Sequence, residues 1–519
     1  MSPGGRINRY NEITMPNWLR GRPALLISSV ALPPLGLILL WLRPIRWYTK
    51  IAGSLAIAAI LVAHLVYVFG MRVELGGGGM SPIFSFGTPE RHFDRLEESR
   101  ASQQAEPSAT ASTASPAATS TPATTEATPT AGKPLPWWTD FRGPGRDGVY
   151  PGEILTVWPE AGLERLWKQP VGGGYASFVF GEGRAFTIEQ RRQNEAVAAY
   201  DVRTGRELWT HSYPALFQET MGGEGPRATP TYHEGLVYSL GATGEMRVLD
   251  TRTGSVKWAK NIIAESGASN IQWGMSGSPL IVDDKVIVQP GGPAGKSVVA
   301  YDKLTGQPVW HSLDDRQAYT SPMLVTLAGN RQILTVTATR VAGLAVEDGK
   351  LLWDFPWTTQ FDINSSQPIV TGGNRFLISA GYGHGAALVE VKSDGESYVA
   401  KALWQNTRLK NRFNSSVLYE GHVYGLDENI LACIRVSDGA LMWKGGRYGY
   451  GQLLLAGGHL VVITESGELA LVKATPQSHI EVARFDAIEG KTWNVPAIEN
   501  GLLLVRNARE MACFRIGKL

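Results

Sequence analysis

The chain has 519 residues and a formal net charge of +2, so its charge gives no reason to expect nucleic acid or another polyanion as a partner. Its 59 glycines and 16 tryptophans are typical of an all-β fold with many tight turns and repeated aromatic anchors. The two cysteines, Cys433 and Cys513, stand in similar local strings. We expect them in buried strands of different repeats, too far apart for a disulfide.

Two apolar stretches follow an N-terminal tail of residues 1–23, and together they make residues 24–70 a predicted membrane anchor. The stretch 24–42 is interrupted by a Pro-Pro pair, whereas the stretch 51–69 runs for about 19 residues, enough to cross a hydrocarbon core of roughly 30 Å. We therefore expect a transmembrane helix at 51–69. The first stretch is either a kinked span or a re-entrant segment, since proline is tolerated in membrane helices.

Basic residues flank the first apolar stretch on both sides, and short basic segments favour the cytoplasm. A plain helical hairpin cannot place both flanks there, whereas a re-entrant first stretch can. We accordingly expect the remainder of the chain outside the cytoplasm, on the periplasmic side of a bacterial inner membrane. The basic residues concerned are Arg6, Arg9, Arg20 and Arg22 before the stretch, and Arg43, Arg46 and Lys50 after it.

Residues 71–136 are predicted to be a linker between the anchor and a folded domain. From 101 to 131 the sequence is almost wholly Ala, Ser, Thr and Pro, with too little large apolar content to form a core. We expect this part to act as a flexible tether.

An Asp-x-x-Thr-Gly-x-x-x-Trp motif recurs beyond the linker. Clear copies lie at residues 201–209, 250–258 and 302–310, and weaker ones begin at Asp348 and Asp438. In each copy the Asp carboxylate and Thr hydroxyl can accept backbone N–H bonds, while Gly supplies a position with φ > 0. The motif therefore predicts a turn between antiparallel strands, followed by a tryptophan that packs on a neighbouring sheet.

The aromatic anchors recur every 39 to 52 residues, a period typical of four-stranded propeller blades. Eight anchors predict an all-β, eight-bladed β-propeller of four-stranded antiparallel blades over residues 163–519. We expect Leu163 to Val171 to supply the last strand of the final blade, which closes the ring and removes open sheet edges. The anchors are Trp167, Trp209, Trp258, Trp310, Trp353, Trp404, Trp443 and Phe485.

These repeats resemble the PQQ-type (pyrroloquinoline quinone) repeats shared by quinoprotein alcohol dehydrogenases and outer-membrane assembly lipoprotein propellers. The resemblance covers about residues 137–519, including a lead-in at 137–162 that looks like the opening of a bacterial group of such propellers. For the dehydrogenases it implies adjacent cysteines over a quinone, and Glu, Asn and Asp at a calcium ion. This sequence has no adjacent cysteine pair. PQQ with calcium is thus implied by resemblance alone, and we assign no catalytic residue and no metal ligand.

Polar and aromatic strings precede the innermost strand of each blade and converge at the mouth of the central channel, where ligand pockets are expected. The alternative is a solvated rim that only satisfies strand ends. The candidate binding residues are Arg227, Trp273, Tyr319, Asn364, Asn414, Tyr448, Lys491 and Trp493.

Two charged segments are given structural roles. Residues 189–192, Glu-Gln-Arg-Arg, are expected at a solvated hairpin tip. In the lead-in, Arg142 or Arg146 is expected to pair with Asp147 while the segment caps one face of the ring.

Taken together, the sequence favours a membrane-anchored, extracytoplasmic propeller that acts as a binding scaffold for protein partners. It is not expected to be an enzyme. The alternative is a quinone-dependent oxidoreductase that acts on an alcohol or sugar through an atypical site.

Overall fold

The computed structural model describes residues 22–75, 82–85, 89–105, 136–395 and 397–517. Nearly all of the predicted N-terminal tail, and the low-complexity segment from residue 106 onward, lie outside these ranges. The chain divides into two compact units, one of Met1–Glu74 with Phe84–Pro89 and one of Leu75–Ile83 with Glu90–Leu519.

From residue 22 onward, the first unit contains three helices: α1 (Arg22–Ala31), α2 (Pro33–Trp41) and α3 (Trp47–Ala63), which continues as a π-helical turn over His64–Val68. The prolines at the start of α2 break the first apolar stretch, as expected. Helices α1 and α2 then pack closely, since a Cβ on Gly36 would lie 2.5 Å from the Cα of Ser29.

The helical segment Trp47–Val68 is long and apolar enough to cross a membrane. Its 22 residues extend about 33 Å at the usual helical rise. A short two-stranded sheet follows, formed by Arg72–Leu75 and Pro82–Ser85.

Eight antiparallel sheets make up the second unit, which confirms the eight-bladed propeller. The first strands of neighbouring blades contact each other, so the first strand of each blade is the innermost. From the innermost strand outward, the blades are as follows: blade 1, Val179–Gly181, Arg184–Arg191, Asn194–Asp201 and Glu207–Pro214; blade 2, Thr231–His233, Leu236–Leu240, Glu245–Asp250 and Val256–Asn261; blade 3, Leu280–Val282, Lys285–Val288, Val298–Asp302 and Pro308–Ser312; blade 4, Met323–Leu327, Asn330–Val336, Arg340–Ala345 and Leu351–Pro356.

The remaining blades follow the same order: blade 5, Ile369–Gly372, Arg375–Ala380, Gly385–Ser393 and Tyr398–Asn406; blade 6, Val417–Tyr419, His422–Asp427, Ile430–Arg435 and Leu441–Arg447; blade 7, Gln452–Ala456, His459–Ile463, Glu468–Lys473 and Glu481–Asp486; blade 8, Ala497–Glu499, Leu502–Arg506, Glu510–Arg515 and Arg165–Pro170. Blade 8 takes its outer strand from the start of the domain, which confirms the predicted closure.

Short elements join or extend the blades. They are a two-stranded hairpin of Gln218–Glu219 and Gly223–Glu224, a one-turn helix at Ile262–Ser266, a 3-10 turn at Gln360–Asp362, and the strand Val149–Tyr150, which pairs in parallel with the inner strand of blade 7. Both cysteines lie buried and unbridged in the third strands of blades 6 and 8.

The repeat motif works across the boundary between two blades. Trp209 of blade 1 donates its indole N–H to the backbone oxygen of Thr251, in the turn of blade 2, at 2.8 Å. The Asp250 carboxylate accepts the backbone N–H of Thr253 at 3.1 Å within that turn. The same tryptophan ring lies directly against Gly254, where a Cβ would come within 2.7 Å of it. In the motif, Asp and Thr therefore shape the turn within one blade, whereas Trp and Gly make the contact between successive blades.

Replacing Gly254 with alanine is expected to destabilise the propeller by roughly 2 to 4 kcal/mol, because the new Cβ adds overpacking against Trp209 to the strain of a positive φ. Gly183→Ala is the matched control, since Gly183 has a φ of 75° but nothing within 4 Å of its Cβ position. That control should lose only about 1 kcal/mol. Thermal unfolding of the two variants measures the difference, and equal losses would argue against the inter-blade role of the glycine.

Helix α4 (Pro89–Ala105) lies in the second unit, within the segment that the sequence suggests is linker. Its Phe93 and Leu96 are buried. Arg100 donates to the backbone oxygen of Pro170 at 2.8 Å and forms an ion pair with Glu207 at 3.2 Å. The helix thus bridges blade 8 and blade 1 where the ring closes.

The segment 189–192 leads into a hairpin turn, as expected, but it is solvated only at Arg192. Glu189 is fully buried, and its carboxylate accepts hydrogen bonds from Arg191 at 2.6 Å and from Tyr200 at 3.1 Å. Burial favours a higher pKa for Glu189, but Arg191 and the buried Arg506 of blade 8 outweigh it, so the pKa is lowered. The burial of Glu189 was not predictable from the segment alone, because part of its neutralising charge comes from Arg506 in a blade that is distant in sequence.

Candidate functional site

The lead-in fills the central channel instead of capping one face of the ring. It lies along the inner edges of the innermost strands: Phe180 of blade 1 donates its backbone N–H to Trp138 O at 2.9 Å, and Leu455 of blade 7 donates to Gly148 O at 2.8 Å. These bonds satisfy backbone groups that a propeller otherwise leaves unpaired along its axis.

Arg142 ties the lead-in to blades 6 and 7. The residue is 1% exposed, and its guanidinium donates to the backbone oxygens of Ser416 at 2.8 Å, and of Ser415 and Leu453 at 3.3 Å each. It also reaches the backbone oxygen of Asp147, at 3.2 Å, rather than the carboxylate. Burial lowers the pKa of Arg142 to about 10.

Arg146 ties the lead-in to the opposite side of the ring. It donates to Ser278 O at 3.1 Å and to Pro322 O at 2.9 Å, in blades 3 and 4. Its ion-pair partner is Asp140, at 2.9 Å, so the expected pairing with Asp147 is wrong. The Asp147 carboxylate instead accepts the backbone N–H that begins the next strand. Two arginines therefore fix the plug between opposite sets of blades.

A cavity of about 370 Å³ lies at the mouth of the channel, and Phe141 of the lead-in lines it from the plugged side. The plug makes it a pocket and not an open pore. Its walls come from successive blades, and the lining aromatic residues are Tyr175, Trp273, Tyr319, Phe361, Tyr382, Phe413 and Trp493.

The aromatic rings of the wall contact one another in two groups. Tyr175 stacks on Trp493 with centroids 5.2 Å apart, and Phe413 packs against the same indole at 4.6 Å. In the second group, the ring centroids of Trp273 and Tyr319 lie 5.8 Å apart. Burial raises the pKa of Tyr319 to about 12, so its hydroxyl stays neutral at physiological pH.

Two arginines complete the wall, and each has an acidic partner. Arg227 pairs with Glu219 at 3.3 Å, and Arg412 pairs with Glu428 at 2.5 Å. The Arg412 guanidinium also lies 4.6 Å from the centre of the Tyr382 ring. These ion pairs leave the wall close to electrically neutral.

A hairpin at residues 218–224 borders the cavity and is held from two sides. Arg227 donates to Gly223 O at 3.0 Å, and Lys491 donates to Met221 O at 2.9 Å. Met221 and Gly222 of the hairpin line the cavity. The hairpin therefore forms one side of the entrance.

Replacing Arg227 with methionine is expected to loosen this hairpin without unfolding the ring, because the change removes its bonds to Gly223 O and Glu219. Amide hydrogen exchange at residues 218–224 should become at least roughly tenfold faster, since loss of about 1.4 kcal/mol corresponds to a tenfold change in the opening equilibrium. The control is Arg252→Met, at an exposed turn of blade 2. Unchanged exchange in the Arg227 variant would show that the other contacts suffice to hold the hairpin.

The structure brings half of the predicted binding residues together. Arg227, Trp273, Tyr319 and Trp493 line the cavity. Lys491 lies at its border, with its ammonium 4.6 Å from the centre of the Trp493 ring.

Three predicted residues are buried outside the cavity lining. Asn364 donates to Thr337 O at 2.9 Å, Asn414 accepts from the side chain of Asn411 at 3.0 Å, and Tyr448 donates to the Glu481 carboxylate at 2.6 Å. Two of them miss the wall by one residue, because Ser365 and Phe413 line it instead. Side chains of neighbouring residues point in different directions. The amides of Asn364 and Asn414 therefore point into the blades.

A positional signal in the sequence could have found the wall. In seven of the eight blades, the residue four positions before the first residue of the innermost strand lines the cavity. In blade 7 this position is Tyr448, and Gln452 lines the cavity in its place. The seven are Tyr175, Arg227, Ser276, Tyr319, Ser365, Phe413 and Trp493.

The cavity fits a quinone and a calcium ion poorly. PQQ is a flat tricarboxylate, and the guanidiniums of Arg227 and Arg412 already pair with glutamates. A calcium ion takes six to eight oxygen ligands. The carboxylate in the lining, Glu219, is engaged by Arg227 and by the backbone N–H of Met221. Across the described ranges, no group of three or more His, Cys, Asp or Glu side chains could hold a metal.

A family model described as outer membrane protein assembly factor BamB matches residues 193–445. The outer membrane protein assembly factor BamB of Burkholderia pseudomallei (strain K96243) is 22% identical over 324 residues, which cover 59% of this chain and 75% of the relative.

Among solved structures, BamB from Moraxella catarrhalis is similar at 14% identity and a TM-score of 0.48, over 68% of this chain and 97% of that one. A quinohemoprotein alcohol dehydrogenase, ADHIIG from Pseudomonas putida HK5, is similar at 11% identity and a TM-score of 0.49, over 74% of this chain and 80% of that one. In its repeats, this chain thus resembles the PQQ-type propellers that the BamB family model describes.

Proposed function

We propose that this chain is a membrane-anchored scaffold whose propeller lies outside the cytoplasm and binds a protein partner at the cavity face. The observation that carries the proposal is the plugged channel. Arg142 and Arg146 donate hydrogen bonds to backbone oxygens of the blades. The charged side chains around the cavity pair with one another. The cavity face therefore offers aromatic surface suited to recognition.

The sequence comparison supports a scaffold function. The matching family and the relative from Burkholderia pseudomallei carry the name outer membrane protein assembly factor. That name favours a role in the assembly of other proteins over a metabolic reaction.

The anchor is proposed from the first unit taken by itself. The segment Trp47–Val68 has the length of a membrane span. Helices α1 and α2 have 10 and 9 residues, so each extends only about 15 Å and reaches roughly halfway through a hydrocarbon core. Their close packing fits a re-entrant hairpin, which keeps the basic residues on both of its flanks on the cytoplasmic side.

A cofactor experiment separates this proposal from the quinone-dependent oxidoreductase. The purified full chain in detergent is titrated with PQQ and Ca²⁺ in a calorimeter, and dye reduction is then followed with a panel of alcohols and sugars. We expect no saturable PQQ binding and no substrate-dependent reduction. Quinone-linked reduction of the dye would overturn the scaffold proposal and establish the oxidoreductase.

A further inference from the structure

Two exposed apolar side chains stand at the border of the cavity. Met221, at the hairpin, is 48% exposed, and Phe361, in the loop between blades 4 and 5, is 69% exposed. The backbone of Phe361 is held at φ 61° and ψ 20°, the left-handed region that is costly for a residue with a Cβ. Exposed apolar groups at the rim of a concave apolar pocket are typical of interaction sites.

Several polar groups of the wall are engaged inside the protein. The indole N–H of Trp493 donates to Glu465 at 2.9 Å, the Ser276 hydroxyl donates to Tyr319 O at 2.9 Å, and the Gln452 amide donates to Trp493 O at 3.0 Å. What the wall presents to an occupant is therefore mainly the faces and edges of aromatic rings. Such surfaces pair best with another ring, in stacked or edge-to-face contact.

The charge and the size of the cavity further restrict which group it can bind. Because the arginines of the wall are paired with glutamates, a charged occupant would lose its hydration without gaining a new partner. The cavity volume of about 370 Å³ lies at the lower end of the usual range for ligand sites, and Phe141 limits its depth. One large uncharged side chain fits these limits.

We propose that the cavity binds an uncharged aromatic side chain, presented by an exposed segment of the protein partner. This inference rests on the proposed scaffold function and names the chemistry of its partner. An aromatic anchor in a pocket, surrounded by a rim that excludes water, is the arrangement that carries most of the energy in protein interfaces. Met221 and Phe361 supply such a rim on this face.

Blocking the cavity gives the direct test. The probe is N-acetyl-tryptophanamide, added at roughly millimolar concentration to the full chain in detergent and followed by saturation-transfer NMR. We expect saturable binding by the unmodified chain and at least a tenfold loss in Ser365→Phe, since Ser365 lines the cavity and the new ring would occupy it. The matched control, Ser393→Phe, places the same ring at the exposed end of the third strand of blade 5 and should bind normally.

A second variant guards against misfolding. Trp273 is only partly buried, and Trp273→Ala removes one wall of the cavity while leaving the blade strands intact. It should still unfold in a single cooperative transition, and it should bind the probe at least tenfold more weakly. Equal affinity in the unmodified chain, Ser365→Phe and Trp273→Ala would overturn the proposal, as would the absence of any saturable binding.

Peptide probes distinguish a protein segment from a free small molecule. A capped pentapeptide with a central tryptophan between serines and glycines should bind at least as tightly as N-acetyl-tryptophanamide, because its backbone adds contacts at the rim. The same peptide with a central alanine, lysine or aspartate should bind at least tenfold more weakly. If the free amide bound but the tryptophan peptide did not, the cavity would be a small-molecule site and the inference would be wrong.

Failure of this inference can be told apart from failure of the scaffold proposal. Photocrosslinking from position 361 in membranes detects a partner independently of the aromatic probes. If the unmodified chain bound no probe and the crosslink persisted unchanged in the Ser365→Phe variant, the aromatic anchor would be wrong. The proposal of a protein partner at the cavity face would still stand.

Discussion

Arg142→Met should destabilise the propeller by roughly 3 to 5 kcal/mol, because the arginine satisfies several buried backbone oxygens that methionine cannot reach. Those oxygens belong to Ser415, Ser416, Leu453 and Asp147. Each unsatisfied buried acceptor costs about 1 to 3 kcal/mol, and relaxation of the lead-in should recover part of the sum. Thermal unfolding of the full chain in detergent should show a fall of roughly 5 °C.

Arg203→Met is the control for this experiment, since Arg203 is exposed in a blade turn. It should unfold within about 0.5 kcal/mol of the unmodified chain. Arg142→Lys should fall between the two, because an ammonium keeps the charge but cannot reach both blades as a guanidinium does. A loss below about 1 kcal/mol in Arg142→Met would mean that the lead-in does not hold the ring together.

Glu189→Gln is expected to cost roughly 3 to 5 kcal/mol at neutral pH, since it removes the carboxylate that offsets the buried Arg506 and leaves Arg191 with Glu207 alone. The exposed Glu160→Gln is the control and should be nearly neutral. Chemical denaturation of both variants and the unmodified chain measures the difference.

The pH dependence of this effect follows from the lowered pKa of Glu189. Arg191 and Arg506 outweigh burial and hold that pKa below its ordinary value of 4.5. The carboxylate thus stabilises the fold above about pH 4.5, and this stabilisation is lost as pH falls toward the folded pKa. The difference in free energy of unfolding between the unmodified chain and Glu189→Gln should narrow between about pH 5 and pH 3. A constant gap would show that the ion pairs are not its source.

Much of the architecture was predictable because the repeat motif encodes contacts between adjacent blades. The tryptophan and the turn glycine must recur together, as Trp209 and Gly254 do. The number of their repeats therefore predicts the number of blades. Trp353 is an exception, since its indole N–H donates to Gln332 of its own blade at 2.6 Å. The closing strand was also predictable, because the first anchor, Trp167, precedes any complete blade.

The site was only partly predictable, because its geometry depends on contacts between distant parts of the chain. Asn364 and Asn414 stand one residue from the cavity wall, and only the local backbone decides that Ser365 and Phe413 point inward. The path of the lead-in through the channel depends on bonds from Arg142 to residues more than 270 positions away. Helix α4 has few apolar residues, and its contacts with blades 1 and 8 combine the buried Phe93 and Leu96 with polar bonds such as those of Arg100.

The most direct test of a scaffold that acts through its cavity face is site-specific photocrosslinking of the full chain in its native membrane. A photoreactive residue at 221 or 361 samples the cavity rim, and one at 284 samples an exposed turn at the far end of the inner strand of blade 3. We expect a discrete crosslinked protein from both rim positions that is absent from 284, and we expect Ser365→Phe to weaken it. Crosslinks of equal yield from all three positions, or from 284 alone, would contradict a partner site at the cavity.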